Sequence, residues 1–466
     1  MDRWASGIDT AWLQLEQETN RMVVHGILFC SGPLDVDALR ERVRERWVEP
    51  YPGLRQRPTW RRGSVGPARW VDARPDLTEH VRVVPLDAPG DDVALARHVG
   101  ALMSRPLPTD RPWWTLDVLT GYTGGDAPDG QASGTALVVS LHHGLADGVA
   151  LNHLFHALSD APVAEGTPTA YAAPPRRSVR VHDLRLLRRQ ATTRIAELAG
   201  KVRGAVSPEG VAELRATGRA IATSAAMLTR PPADPRTALE GRLGVAKSAR
   251  WTAAVPMETV RGVAKRHGAS VNDVLCAAIA EALRTYLASA GENPDVADVP
   301  RLRAVMPSNL RALDQPISDE LGNEFGLVLP PLPTDEPDAG RRIERMHATM
   351  STIKRTHQAL ASFAGIAATG LAPASTSQGM ITRYAKSTSV IISNVPGPLA
   401  ELTIAGTRVR DALFWVPCSG RLALGVSILS YAGRVRLGVR ADTGVLGGEE
   451  GVDRFTTALD DALTRL

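Results

Sequence analysis

The sequence predicts an α/β protein of two lobes, each a mixed β-sheet with flanking helices, joined by a helical linker. Three observations predict it. Strand-like apolar runs alternate with helical patterns in both halves, and a chain of 466 residues is long for a single core. Prolines at 168, 174, 175, 231, 232 and 235 also bracket an Arg- and Ala-rich stretch between the halves. The expected division is a first lobe over 1–166, a helical basic linker over 167–236 and a second lobe over 237–466.

In order along the chain, MVVHGILFC (Met22–Cys30) is apolar and β-branched and reads as a buried strand. A turn at Ser31–Pro33 and the helical pattern DVDALRERVRERW follow it. TALVVSLHH (Thr135–His143) is a second strand, and the segment from Asp147, DGVALNHLFHAL, has apolar residues at helical spacing. In the second half SARWTAAVPM reads as a strand. Ser270 and Asp273 then form a capping-box pair at the start of a helix whose Leu275, Ile279, Leu283 and Tyr286 share one face. RLRAVMP and STSVIISNV read as strands, and LALGVSILSYAGRVRLGV as a hairpin turning near Ala432–Gly433.

The net charge of +4 and pI of about 9.1 are mild, and both signs are interleaved, which gives nucleic-acid binding little support. Arg176, Arg177, Arg180, Arg185, Arg188, Arg189 and Arg194 cluster in the linker; a solvated helix face, anionic lipid and a phosphate-bearing carrier all fit them. Three scattered cysteines exclude a disulfide framework and argue against a thiol-rich zinc site, so no metal is expected. The expected compartment is a reducing cytoplasm. The N-terminus has no signal-peptide pattern and no run is long enough to span a bilayer, which leaves peripheral membrane contact.

A GxSxG elbow, a Walker phosphate loop, a GxGxxG fingerprint and an HExxH helix are all absent. The chemistry concentrates in His142-His143-Gly144-Leu145-Ala146-Asp147-Gly148, between a strand and a helix. Imidazole titrates near neutrality and suits taking a proton from a hydroxyl and passing it to a leaving thiolate. Successive residues of a strand face opposite ways, so one histidine faces a cleft and the other packs. Asp147 either orients a histidine or pairs with an arginine elsewhere, and Gly148 permits close approach.

HHGLADG resembles the HHxxxDG signature of the acyltransferase superfamily that includes chloramphenicol acetyltransferase and nonribosomal condensation domains. IDTAWLQLE, RPWWTLDVLTG, ASVNDVLCAAIAEALRTYL, RAVMPSNLR, LGNEFG, SNVPGP and SILSYAGRVRLGVRAD, in this order, resemble its bacterial wax ester synthase/diacylglycerol acyltransferase branch along nearly the whole chain. The resemblance implies two chloramphenicol-acetyltransferase-like lobes with the active site in a channel between them. It implies His143 as general base, supported by His142, with no covalent acyl-enzyme, Asp147 as a structural residue bound to an arginine, and Gly148 keeping the turn open.

Asn272 matches the Asn of the family's Asn–Asp motif. Its amide is a candidate stabiliser of the oxyanion, or a cap or interface residue, and Asp273 is a cap. Trp113, Trp114, Ser393 and Asn394 are candidate channel residues; core packing is the alternative for Trp113, and shaping of the chain before Pro396 for Ser393 and Asn394. Where the family usually shows Pro-Leu-Trp and Leu-Asn-Gly, this chain has Pro112-Trp113-Trp114 and Leu239-Glu240-Gly241.

The leading expectation is transfer of a long-chain acyl group from acyl-CoA, as substrate and with no cofactor, to a fatty alcohol or diacylglycerol. The alternatives are acylation of a natural-product hydroxyl or amine from CoA or a carrier protein, and a non-catalytic lipid-binding or droplet-surface protein.

Overall fold

In a computed structural model, residues 2–60, 66–125, 134–160, 233–290, 299–311 and 317–466 are described. The proposed linker helix and its arginine cluster lie outside the described residues.

Two large mixed sheets carry the molecule. The first runs in the order Thr403–Ile404, Thr407–Trp415, Val23–Cys30, Thr135–His142, Trp114–Thr120, Val81–Pro85; its last two strands are parallel and the others antiparallel. The second runs Phe325–Val328, Leu302–Asn309, Val390–Pro396, Leu424–Tyr431, Arg434–Asp442, Lys247–Trp251. Its three strands from Leu302 to Tyr431 are parallel neighbours, and the hairpin turns at Ala432 and Gly433, both at positive φ. A small sheet of Arg3–Trp4, Arg69–Asp72 and Gln56–Thr59 stands beside the first.

The strand Thr135–His142 is buried on both faces, in keeping with its apolar run Ala136–Val139. Leu137, Val139 and Leu141 enter the main core, while Ala136 and Val138 face the helix Asp92–Met103 in a smaller one. In the helix Val271–Ala290, Leu275, Ile279, Leu283 and Tyr286 are buried, and Ser270 and Asp273 exchange capping-box hydrogen bonds of 2.9 and 3.2 Å.

The expected second lobe over 237–466 gives up one segment to the first sheet. Thr407–Trp415, deep in the second half, leaves its own lobe and pairs antiparallel with Val23–Cys30. Residues 403–415 therefore belong to the first sheet, because the Val23–Cys30 edge is wholly buried and needs a partner, which the largely buried strand Thr407–Trp415 supplies. The two sheets are thereby interlocked, and both the main and the small core draw residues from each half of the chain.

Candidate active site

The turn after Thr135–His142 is stitched to the second lobe through its backbone. Gly322 N donates to Leu145 O at 3.0 Å, Asp147 N donates to Gly322 O at 3.3 Å, and Leu321 and Gly322 both have positive φ. Asp147 caps the helix Gly148–Leu158 by accepting from Ala150 N at 3.0 Å, accepts from Glu324 N at 3.0 Å, and pairs with the buried Arg311. Burial works against the charge of Arg311, yet Asp147 and Glu324 hold its pKa above the ordinary value. Of the two roles open to Asp147, the arrangement places it on Arg311, where it fixes the turn.

The two histidines diverge as strand geometry requires. His142 Nδ1 accepts from Gly144 N at 3.0 Å, its Nε2 lies 3.5 Å from Glu16, and its ring packs 4.7 Å from that of Trp113. His143 stacks on Trp12, with ring centroids 5.0 Å apart, and against Phe325 at 5.4 Å. Its Nδ1 lies 2.9 Å from Asn323 Oδ1.

Asn323 determines the tautomer of His143. Its amide nitrogen donates both to Asp9 Oδ1, at 2.7 Å, and to His143 O, at 2.8 Å. A flipped amide would set its oxygen against those two acceptors, so the oxygen faces His143 and Nδ1 carries the proton. Ser6 Oγ donates to Asp9 at 2.6 Å and extends the chain. Nε2 keeps its lone pair and has no hydrogen-bond partner among the described residues. Burial lowers the His143 pKa, against the opposing effect of its hydrogen bonds and Asp147, so the ring is neutral at pH 7.

The His143 ring lines a cavity of about 20 Å³, enough for about one water. Met22, Val305, Leu327, Ile381 and Leu422 make its walls apolar. Across the strand Leu302–Asn309 lies a larger cavity of about 820 Å³; Pro307 borders both.

Several sequence expectations are redrawn here. Asn272 borders the larger cavity and accepts from Asn394 Nδ2 at 2.9 Å, so it is not at the His143 pocket. Asp273 caps its helix and takes a second hydrogen bond from His347. Asn394 lines the larger cavity, whereas Ser393, one residue earlier on the strand, points to the opposite face and borders neither. Trp113 and Trp114 are core rather than channel residues: Trp114 donates to Leu54 O at 2.8 Å, and Trp113 packs on His142 and Trp60. Leu239 is buried, and Glu240 pairs with Arg421, so both departures from the family pattern fall away from the two cavities. Gly148 has no positive φ; a Cβ there would meet Val395 of the second lobe at 2.6 Å, which is why glycine stands there.

Asp9, Arg311 and Asn323 are the residues sequence reasoning passed over. They lie inside the segments IDTAWLQLE, RAVMPSNLR and LGNEFG, which was the available signal. Among the described residues no group of three or more His, Cys, Asp or Glu is placed to hold a metal ion. No helix among them is long and apolar enough to cross a membrane.

Residues 5–275 match the wax ester synthase/diacylglycerol acyltransferase catalytic domain, and residues 321–466 match the C-terminal domain of the same family. A probable diacylglycerol O-acyltransferase of Mycobacterium tuberculosis is 28% identical over 475 residues, covering 98% of this chain and 94% of that protein. A second relative from that organism, named for the same activity, is 30% identical over 89% of this chain and 81% of its own length. Among solved structures, the wax ester synthase/diacylglycerol acyltransferase of Marinobacter aquaeolei aligns over 98% of both chains, with a TM-score of 0.62 and 22% identity. The first condensation domain of the calcium-dependent antibiotic synthetase aligns over 99% of this chain and 96% of its own, with a TM-score of 0.60 and 16% identity; both share the two-lobed fold. With both of the family's domains matched in order over most of its length, the chain belongs to the wax ester synthase/diacylglycerol acyltransferase family and is an acyltransferase.

Proposed function

We propose that the protein transfers a long-chain acyl group from acyl-CoA to a lipid hydroxyl, diacylglycerol first and fatty alcohol second, with His143 as general base. The observation that carries this reading is the locked tautomer: Asn323 and Asp9 hold the Nδ1 proton, so Nε2 faces its task with a free lone pair. Nε2 takes the proton of the acceptor hydroxyl as the oxygen attacks the thioester carbonyl carbon. The tetrahedral intermediate then expels the thiolate, which recovers that proton from the imidazolium, and the carbon–sulfur bond is exchanged for a carbon–oxygen bond. The apolar lining around His143 keeps bulk water from the base, and the mycobacterial relatives are named for diacylglycerol as acceptor.

A lipid acceptor also implies transient contact with a membrane or droplet surface from the cytoplasmic side; the three buried free thiols fit that compartment. The test is thiol release from palmitoyl-CoA with and without diacylglycerol. Release should depend on the lipid, vanish in His143→Ala, and fall by about 10²-fold in kcat in Asn323→Ala, which loses the orienting acceptor. Full turnover by a folded His143→Ala protein would remove the histidine from the mechanism.

A further inference from the structure

The orienting partner of His143 is neutral. Its Nδ1 faces the amide oxygen of Asn323 at 2.9 Å, and no carboxylate bonds to the ring among the described residues. The ionisable groups around it are committed elsewhere. Asp147 pairs with Arg311, which Glu324 also faces, and Asp9, from the helix Gly7–Gln14, accepts from Ser6 and Asn323. His142 turns away onto Trp113, and Tyr384, from the helix Ala374–Lys386, is a phenol whose pKa burial pushes up to about 12. An imidazolium formed beside an apolar cavity of about 20 Å³ is therefore short of compensating charge, and burying such a charge is costly.

What lies against the ring is aromatic surface. Trp12 stacks on His143 with centroids 5.0 Å apart and planes 21° apart, so the indole covers one face of the imidazole. Phe325 packs 5.4 Å from each of the two rings, tilted 48° to His143 and 27° to Trp12. The three rings come from separate elements, the helix Gly7–Gln14, the motif turn and the strand Phe325–Val328, and all are buried. The face of an aromatic ring is the negative end of its quadrupole, tryptophan offers the strongest such face, and a desolvated cation held against it is attracted. A neutral imidazole gains nothing from that term. The contact thus favours the state after proton transfer over the state before it, which is the condition for accelerating a step.

We infer that Trp12 is a positioning residue of the reaction whose indole face stabilises the imidazolium of His143. The inference rests on the proposed role of His143 as base and says what holds the charge that this role creates. The acceptor O–H bond breaks as Nε2–H forms, the ring carries the positive charge against the indole through the tetrahedral intermediate, and the charge disappears when the departing thiolate takes the proton.

The experiment replaces Trp12 site-specifically with mono-, di- and tetrafluorinated tryptophan, which drain the ring face of negative charge while nearly keeping its shape, and sets Trp12→Leu beside them. Single-turnover thiol release from palmitoyl-CoA with diacylglycerol should slow stepwise with fluorine, by roughly tenfold at four fluorines, the order of a desolvated cation–π contact. The His143 pKa, read by nuclear magnetic resonance of carbon-13-labelled histidine in the full chain, should fall in step, by roughly one pH unit. A role confined to packing predicts a loss in Trp12→Leu with every fluorinated protein equal to the parent, and that result in the rates or in the pKa would overturn the inference. So would a rate that rises with fluorine. It would assign the effect to the indole N–H, which fluorine makes a stronger donor and which has no hydrogen-bond partner among the described residues. Because the His143 titration needs no substrate, failure of the acyl-transfer reading appears separately, as a parent that releases no thiol although its His143 pKa still follows fluorine.

Discussion

Burial lowers the proton affinity of His143, and under the proposed mechanism the direction matters because only the neutral ring is a base. The acid limb of the pH–rate profile should therefore fall below the ordinary histidine value of about 6.5, with activity already at its plateau at neutrality. A limb midpoint above 7 in kcat would contradict this. Stability should follow the same sign. His25, held at about 3 by burial, and His80, held at about 4, are neutral in the folded protein, whereas the unfolded chain takes up their protons below about 6.5. Stability contributed by these histidines is thus present above that pH and lost on acidification, by about 1.4 kcal/mol per pH unit for each. Denaturant titrations at pH 7 and pH 5 measure it.

At the scale of elements, the strand–turn–helix around HHGLADG was legible in the sequence because each part has a local cause: an apolar run, two glycines and an Asp that caps. The residues that aim His143 were not, since Asn323 meets it across 180 positions and Asp9 meets Asn323 across 314. No periodicity or spacing encodes a contact made only when two lobes close. The same holds for Trp113, which borders the motif strand but packs on the histidine that faces away from the cavity.

The turn also makes a demand across the lobe boundary, at Gly148. Gly148→Ala should cost about 1–3 kcal/mol, because its methyl meets Val395 Cγ2 across the lobe boundary. Val395→Ala should restore much of that loss in the double variant, giving a coupling energy that thermal unfolding of the four proteins would report. Independent, additive losses would mean that the contact is not the cause.

For the whole molecule, two mixed sheets and flanking helices were predictable from alternating strand and helix patterns, but the interlock was not. TRVRDALFW looks like any strand of the second half, and its partner Val23–Cys30 like any strand of the first. The pairing makes the lobes one cooperative body. A fragment of residues 1–232 should accordingly lack a cooperative thermal transition and bind a hydrophobic dye, and co-expression with 233–466 should restore both the transition and the near-ultraviolet circular dichroism. Cooperative unfolding of the fragment alone would show that the crossing strand is dispensable.

The crossing strand also sets a timetable for biogenesis. Val23–Cys30 and Thr135–His142 leave the ribosome early, but the strand that closes their sheet is synthesised close to the end of the chain. At ordinary translation speeds the interval is on the order of tens of seconds, during which an apolar sheet edge stands open. The nascent protein therefore has a built-in waiting period in which that edge is open to wrong partners.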